Sequence, residues 1–208
     1  MTKPSQITIE LLSDTTLGQG SSTPGLVDVE ILHDDLGLPY LSGKTLRGLI
    51  RDSWLTMANH FPELDGAAMR IWGPAGDLGE TSILRFGDAQ IDASVREWIN
   101  WAEHRQGDPL SPATVLEAFT EIRSQTAEDR ITGASARTTL RSIRVLLRNL
   151  RLTAPLTWIK EPGEQDLQCL ALSVLGTRHL GLGRNRGRGF VRMLLDSKHL
   201  TRALAQKD

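Results

Sequence analysis

Apolar and polar residues alternate in two stretches near the start of the chain. Residues 6–12 alternate and are rich in β-forming side chains, so they are predicted to form a strand. Residues 26–32 predict a second extended segment, whose apolar and acidic side chains point to opposite faces. The apolar ones are Val27, Val29 and Ile31, and the acidic ones are Asp28 and Glu30.

A helix with two different faces is predicted over residues 44–60, after Ser42 as its N-cap. Its apolar residues recur at helical spacing and predict a core-facing stripe. Three cations, at spacings of three and four residues, form a separate basic stripe. These are Lys44, Arg47 and Arg51. Residues 62–80, with several glycines and Pro74, are expected to be irregular.

The rest of the chain alternates between extended and helical patterns. Trp98 and Trp101 are one helical turn apart and are expected to lie in the core. The pattern predicts strands at 81–91, 144–160 and 190–195, helices at 93–105, 111–123, 164–175 and 197–206, and an exposed hairpin or loop at 126–138.

This order of elements predicts an α+β fold with a ferredoxin-like β-α-β-β-α-β core. A single domain covers residues 1–208, with an insertion at about 93–138 that holds a helical lobe and the hairpin. RNA-recognition domains share this core, but their aromatic stacking signature is absent from the sequence. The fold by itself therefore does not define a function.

Composition narrows the class of protein. Hydrophobic residues make up 39% of the 208, enough for a core, and no apolar run is long enough to span a bilayer. The first residues lack the apolar core of a signal peptide, and Cys169 is the single cysteine. We therefore expect a cytoplasmic protein without membrane contact, with Cys169 buried. No metal-ligand spacing is present among the histidines.

Charge is distributed unevenly, although the net charge is only −1. Residues 130–160 and 178–192 contain arginines but no acidic residue. Such runs are typical of surfaces that bind a phosphate backbone, although solvated helix faces with surface ion pairs remain an alternative. Arg130 and Arg137 lie in the first run and are candidate RNA-binding residues.

A glycine- and arginine-rich segment at 180–190 is the strongest chemical signal. Glycines permit positive φ, successive backbone amides can form an anion-binding concavity, and arginines can add bidentate phosphate contacts. The spacing does not match a Walker loop, and a flexible charged turn is the alternative. The candidate RNA-binding residues here are Gly181, Gly183, Arg184, Arg186, Gly187, Arg188 and Gly189.

The start of the predicted helix is a second candidate anion site. Gly43 and the positive end of the helix dipole would lie beside Lys44 and Arg47. We expect this site and the glycine-rich segment to converge into one electropositive cradle for a polynucleotide.

Together, these two segments resemble the RAMP superfamily. Residues 37–48 read Gly-Leu-Pro-Tyr-Leu-Ser-Gly-Lys-Thr-Leu-Arg-Gly, and residues 181–189 read Gly-Leu-Gly-Arg-Asn-Arg-Gly-Arg-Gly. Trp72-Gly73 and the Phe-Gly-Asp-Ala segment at 86–89 are also similar to family motifs. Within the superfamily, the chain most resembles the backbone subunit of type III CRISPR effector complexes, and the resemblance is weakest over residues 92–138.

This resemblance implies a ribonucleoprotein subunit whose partners are guide RNA, target RNA and other CRISPR effector subunits. It implies that Lys44, Arg47 and the glycine-rich loop contact guide phosphates, and Arg51 of the same basic stripe is a further candidate RNA-binding residue. It also implies that a thumb hairpin within residues 126–138 wedges between guide and target.

The resemblance further implies a catalytic position at Asp28, because residues 27–34 align with the family's catalytic segment. The chemistry would be Mg²⁺-dependent cleavage of target RNA by attack of a 2′-hydroxyl. Val29-Glu30 replaces the family's Ser-Pro, so Asp28 remains open to a role as a solvated carboxylate. The alternatives are a non-catalytic subunit that caps the guide 5′ handle, a guide-processing endoribonuclease that would use His33, and an ordinary enzyme with a phosphate loop.

Overall fold

The computed structural model describes residues 3–18, 20–74, 81–107, 109–127, 131–134, 139–196 and 198–206. Antiparallel strands form its main sheet and a separate hairpin. In chain order the strands are β1 (Gln6–Leu11), β2 (Tyr40–Leu41), β3 (Leu84–Phe86), β4 (Ala89–Ile91), β5 (Thr120–Gln125), β6 (Arg141–Leu146), β7 (Arg151–Trp158) and β8 (Val191–Leu195).

The main sheet has the strand order β2-β4-β7-β1-β8, and β3 also pairs with β7. β1 lies between β7 and β8, with Ile9 opposite both Leu152 and Met193. Alternate β1 side chains point into the core, where Ile7 and Ile9 are fully buried. This antiparallel arrangement confirms the predicted α+β, ferredoxin-like core.

Helices cover the sheet and fill the connections between strands. Ser42 caps the first helix by accepting a hydrogen bond from the Thr45 amide at 3.3 Å, as predicted. None of the helices in the described part of the chain has the length and apolar character needed to cross a membrane. They are α1 (Gly43–Met57), α2 (Asp65–Trp72), α3 (Ala93–Glu103), α4 (Pro112–Phe119), α5 (Glu164–Gly176) and α6 (Lys198–Ala205).

α2 lies in a segment that the sequence predicts to be irregular, and that prediction is wrong. Ala67, Ile71 and Trp72 are buried, and the helix packs against α5. Arg70 of α2 also pairs with Asp166 of α5 at 2.9 Å. Tertiary burial of one helix face outweighs the low helix propensity of Gly66.

The two α3 tryptophans contradict the expectation of core positions. Trp98 and Trp101 are each 60% exposed. Ile99 and Ala102 occupy the buried face of α3 instead. The core-facing stripe of this helix is therefore built from small and aliphatic residues, and the helical period alone did not identify which stripe faced inward.

The hairpin is longer than the sequence predicted. The predicted helix at 111–123 ends at Phe119, where β5 begins and pairs with β6 from Thr120–Leu146 to Gln125–Arg141. Val145 and Leu146 are buried, which anchors the base of the hairpin to the core. Its strands therefore begin before residue 126 and end after residue 138.

Residues 26–32, predicted as an extended segment, form isolated bridges and no continuous strand. Val29 bridges Ile143 of β6, and Ile31 bridges Gly18. Asp28 and Glu30 were predicted to share one face, but Glu30 is buried while Asp28 is exposed. The cause is an ion pair, because the Glu30 carboxylate accepts a 2.7 Å hydrogen bond from Arg144 of β6.

Candidate nucleic-acid interface

The glycine-rich loop between α5 and β8 adopts the backbone conformation predicted for it. Gly181, Gly183, Gly187 and Gly189 have φ angles of 71°, 76°, 70° and 74°. A Cβ on Gly181 would stand 2.0 Å from the Thr16 carbonyl oxygen, and one on Gly189 would stand 2.0 Å from the Leu180 carbonyl oxygen. Only glycine fits these two positions, because positive φ and close backbone approach coincide there.

Backbone hydrogen bonds dock the loop against the chain that follows β1. The Leu182 amide donates to Thr16 at 3.0 Å, and the Gly189 amide donates to Asp14 at 3.0 Å. The Arg186 amide donates to the Gly183 carbonyl at 2.8 Å, within a short 3₁₀ turn. These amides are already satisfied internally, so the expected amide concavity is partly filled, and the arginine side chains are the remaining candidate anion-binding groups.

One side of this loop borders a groove of about 1040 Å³. The outer part of the β5–β6 ladder (Gln125, Arg141 and Ile143), the end of α5 and Ser53 of α1 form its other walls. None of the described residues that line it is acidic, so its described lining carries a net positive charge. We call it the arginine groove after its five arginines, which are Arg141, Arg178, Arg184, Arg186 and Arg188.

Two groove arginines had been identified in the sequence only as members of basic runs. Arg141 enters the groove from β6. Arg178 lies over the Phe190 ring, with its guanidinium carbon 5.6 Å from the ring centroid. A cation held on an aromatic face is partly pre-positioned for a ligand. Their place in the groove depends on tertiary packing that local sequence does not reveal.

Arg186 links the loop to the hairpin. Its guanidinium donates a 3.1 Å hydrogen bond to the Gln125 side-chain oxygen of β5. Arg184, Arg186 and their neighbour Asn185 are all exposed. The predicted loop arginines are therefore accessible to a ligand and are gathered on one surface.

The basic stripe of α1 does not join this groove. Arg47 donates to the Trp72 carbonyl, and Arg51 donates to the Pro74 carbonyl at 3.3 Å. Lys44 is exposed, but it lies nine residues before Ser53, which places it about 180° around the helix from the groove-facing residue. The expected single cradle is thus not formed in the arginine groove.

The candidate anion site at the start of α1 is already occupied by a carboxylate. The Gly43 amide donates a 2.8 Å hydrogen bond to Asp88, from the turn between β3 and β4. A carboxylate at a helix N-terminus satisfies the amide and complements the dipole. Sequence alone did not show this, because Asp88 lies 45 residues further along the chain.

Asp28 lies at the rim of the arginine groove. Its neighbour Val29 lines the groove, as do Arg141 and Ile143 on either side of Ser142. The exposed Asp28 carboxylate accepts a 2.7 Å hydrogen bond from the Ser142 amide, and the Asp28 amide donates to the Ser142 carbonyl at 2.8 Å. Asp28 is therefore held in a fixed position beside the groove.

The Asp28 segment is further attached to the hairpin by the buried Glu30–Arg144 pair. Glu30 also accepts hydrogen bonds from the Ile31 amide at 3.0 Å and from Thr23 at 3.2 Å. Arg144 makes a second contact with Thr120 of β5 at 3.2 Å. Both charges are desolvated but hydrogen-bonded, which is the condition under which a buried pair is tolerated.

The acidic turn after this segment has a structural role. The Asp34 carboxylate accepts hydrogen bonds from the amides of Leu36 and Leu38 at 3.0 and 2.9 Å, an arrangement that stabilises the turn. His33 is exposed, with its ring nitrogen 3.1 Å from the Asp34 carbonyl oxygen.

Donors for a metal ion are sparse around Asp28. Across the described ranges, no group of three or more His, Cys, Asp or Glu side chains is arranged to hold a metal. The side chains that the structure describes do not make up a Mg²⁺ site by themselves. Cys169 is buried, as predicted, and burial raises the pKa of its thiol to about 12, which keeps it protonated.

Two other candidate RNA-binding residues, Arg130 and Arg137, lie outside the described residues.

The fold and the interface together define a ferredoxin-like domain with a basic groove beside a glycine-rich loop. The chain belongs to the RAMP superfamily, whose family model matches residues 8–192.

Solved structures show the same fold. A chain in the cryo-EM structure of the type III-B Cmr-beta complex in its apo state is 14% identical, with a TM-score of 0.68, covering 93% of this chain and 97% of that one. A chain in the Cmr-beta complex bound to cognate target RNA is 12% identical, with a TM-score of 0.65 and coverage of 98% and 99%. A search of curated proteins finds no match.

Proposed function

We propose that this chain is a subunit of a type III CRISPR ribonucleoprotein effector and that it holds guide RNA in the arginine groove. Membership of the RAMP superfamily and the shared fold with chains of type III-B Cmr-beta complexes support this assignment. One of those complexes is bound to cognate target RNA, so target RNA and other effector subunits are the proposed partners.

The arginine groove is the observation that carries the proposal. Five arginines from the hairpin, the end of α5 and the glycine-rich loop face one open cavity without an acidic residue in its described lining. Guanidinium groups bind phosphate oxygens without reading the base, so the groove suits an RNA of any sequence. Lys44, Arg47 and Arg51 remain predicted RNA contacts on a separate face.

Substitution of Arg184→Ala together with Arg186→Ala tests the groove. We expect RNA affinity to fall about tenfold, because two exposed charge contacts are each worth up to about 1 kcal/mol. The slope of log affinity against log salt should fall by about 1.4, since each lost single-strand phosphate contact removes about 0.7. Fluorescence anisotropy with several RNA sequences at several salt concentrations measures both quantities.

Arg85→Ala with Arg105→Ala is the matched control, because it removes the same charge from exposed positions outside the groove. This control should bind nearly as well as the wild type. An equal loss of RNA affinity in the two double variants would show that the effect depends only on net charge. A loss of affinity for only one RNA sequence would contradict phosphate binding. Competition by small nucleotides but not by RNA would favour an ordinary enzyme with a phosphate loop.

The β5–β6 hairpin is proposed to act as the thumb that separates guide from target. Ile131, between β5 and β6, is 95% exposed, and an exposed apolar side chain of this kind can act as a wedge between bases. Chemical probing of the guide–target duplex in the assembled complex tests this role. Continuous pairing along the duplex would exclude it.

Cleavage of target RNA through Asp28 is a second candidate function, favoured by the fixed position of its carboxylate at the groove rim. We propose that Asp28 assists attack of a 2′-hydroxyl on the adjacent phosphate. Mg²⁺ is the expected cofactor, and it would have to rely on RNA oxygens in addition to Asp28.

Asp28→Asn in the assembled effector should bind target RNA normally and leave it uncut, while Asp35→Asn, an exposed carboxylate of the following turn, should cut normally. Gel analysis of labelled target with Mg²⁺ and with a chelator measures this. Absence of cutting by the wild type in Mg²⁺ would favour a non-catalytic subunit, such as one that caps the guide 5′ handle. Metal-independent cutting of repeat RNA by the isolated chain would favour a guide-processing enzyme and a role for His33.

A further inference from the structure

A second cleft lies against the glycine-rich loop. It has a volume of about 440 Å³ and runs between the chain after β1 and the turn that joins β6 to β7. Arg123, Arg148 and Arg188 are its three cations, and Asp14 is the acidic residue in its described lining. We call it the Arg148 cleft.

The charge of Asp14 is largely compensated within the protein. Arg123 pairs with its carboxylate at 3.1 Å, and the backbone amide of Arg148 donates to the same carboxylate at 3.2 Å. Arg148 is exposed, and its side chain is thus available to a ligand. Arg123 also pairs with Glu121 at 2.9 Å, so the positive charge that the cleft offers to a ligand comes from Arg148 and Arg188.

Arg188 connects this cleft to the arginine groove, because it lines both. Its aliphatic stem lies against Gly183, with Cδ 3.5 Å from the position that a Cβ on that glycine would take. Gly187 also lines the cleft and has open space around it. At the crest of the loop, Gly187 therefore exposes its backbone, and the Arg188 side chain lines both cavities.

The Arg148 cleft also offers apolar surface. Leu12 is partly exposed, and Leu147 is half-buried in the same cleft. A cavity with cations and an adjoining apolar wall suits a nucleotide, whose phosphate is anionic and whose base and ribose present flat, weakly polar surfaces.

We propose that a bound single-stranded RNA continues from the arginine groove over the crest of the loop into the Arg148 cleft, where Arg148 contacts its phosphates. This inference rests on the proposed function, because it extends the path of the RNA that the groove holds. The RNA length needed for full affinity is then set by both cavities together.

Arg148→Ala tests the inference without disturbing the fold, since alanine keeps the backbone amide that binds Asp14. Affinity for a long homopolymeric RNA should fall about two- to fivefold, and its salt slope should fall by about 0.7. Affinity for a short RNA that fills only the arginine groove should not change. Arg186→Ala should weaken binding of both RNAs.

Anisotropy titrations with a series of RNA lengths, at several salt concentrations, measure these differences, and thermal unfolding verifies each variant. Arg85→Ala is the matched single-charge control. The inference is overturned if Arg148→Ala affects long RNA no more than the control does, or if it weakens short and long RNA equally. Such results would not affect the proposal that RNA binds in the arginine groove. Wild-type RNA affinity in the Arg184→Ala, Arg186→Ala variant would contradict that proposal itself.

Discussion

At the scale of single residues, the loop between α5 and β8 has glycine where its backbone packs closely and arginine where it borders the groove. Glycine at 181 and 189 lets the backbone press against Thr16 and Leu180. Arginine at 184 and 186 then projects from the resulting turn into the groove. The backbone is fixed by packing and the charge is left exposed, so shape and binding depend on different residues of one short segment.

A comparison of two glycines in this loop distinguishes the cost of a steric clash from the cost of backbone strain. Gly181 and Gly187 have nearly equal φ, but a Cβ meets the Thr16 carbonyl only at Gly181. Gly187→Ala should cost about 1 to 2 kcal/mol of folding free energy, the strain of a left-handed alanine. Gly181→Ala should cost about 3 kcal/mol or more, because a backbone clash is added. Urea unfolding measures both, and equal costs would contradict the docked geometry.

At the scale of elements, the hairpin and the Asp28 segment form one unit. The Glu30–Arg144 pair is buried, and the backbone of Asp28 and Val29 pairs with β6. A hydrogen-bonded buried pair fixes geometry more than it adds stability. This arrangement connects the groove rim and the proposed catalytic carboxylate directly to strand β6 of the hairpin.

Arg144→Met should therefore destabilise the protein by about 3 to 5 kcal/mol, because it leaves the Glu30 charge buried without its partner. Glu30→Leu combined with Arg144→Met should cost much less than the sum of the two single changes. Arg148→Ala, an exposed position on the same chain segment, should lie within about 0.5 kcal/mol of the wild type. Additive costs in denaturant titrations would show that the pair is not coupled.

The same elements show which parts of the fold can be predicted from the sequence. The strand and helix order of the core was predictable, because each element carries a clear period, as in β1 and the core face of α1. α2 was missed, because its burial depends on a distant contact with α5. The exposure of Trp98 and Trp101 was missed for the opposite reason, since residue type suggested burial that the packing does not provide.

At the scale of the whole molecule, the candidate site was predictable only in part. The glycine-rich loop was identified because its residues are contiguous. Arg178 on Phe190 and Arg141 of β6 join it through tertiary structure. Lys44 was expected to line the same groove, but it does not. Asp88 caps the start of α1, and Arg47 of the basic stripe contacts the end of α2. A positive surface is thus assembled from the C-terminal half of the chain and the hairpin.

Photo-crosslinking of thiouridine-substituted guide RNA to the protein, followed by mass spectrometry, tests most directly whether RNA follows this surface. Crosslinks should concentrate on peptides from β6 and the glycine-rich loop, around Arg141, Arg178 and Arg186. The Arg184→Ala, Arg186→Ala variant should lose most of them. Crosslinks confined to the Lys44 face of α1, with the groove peptides unmodified, would contradict the account.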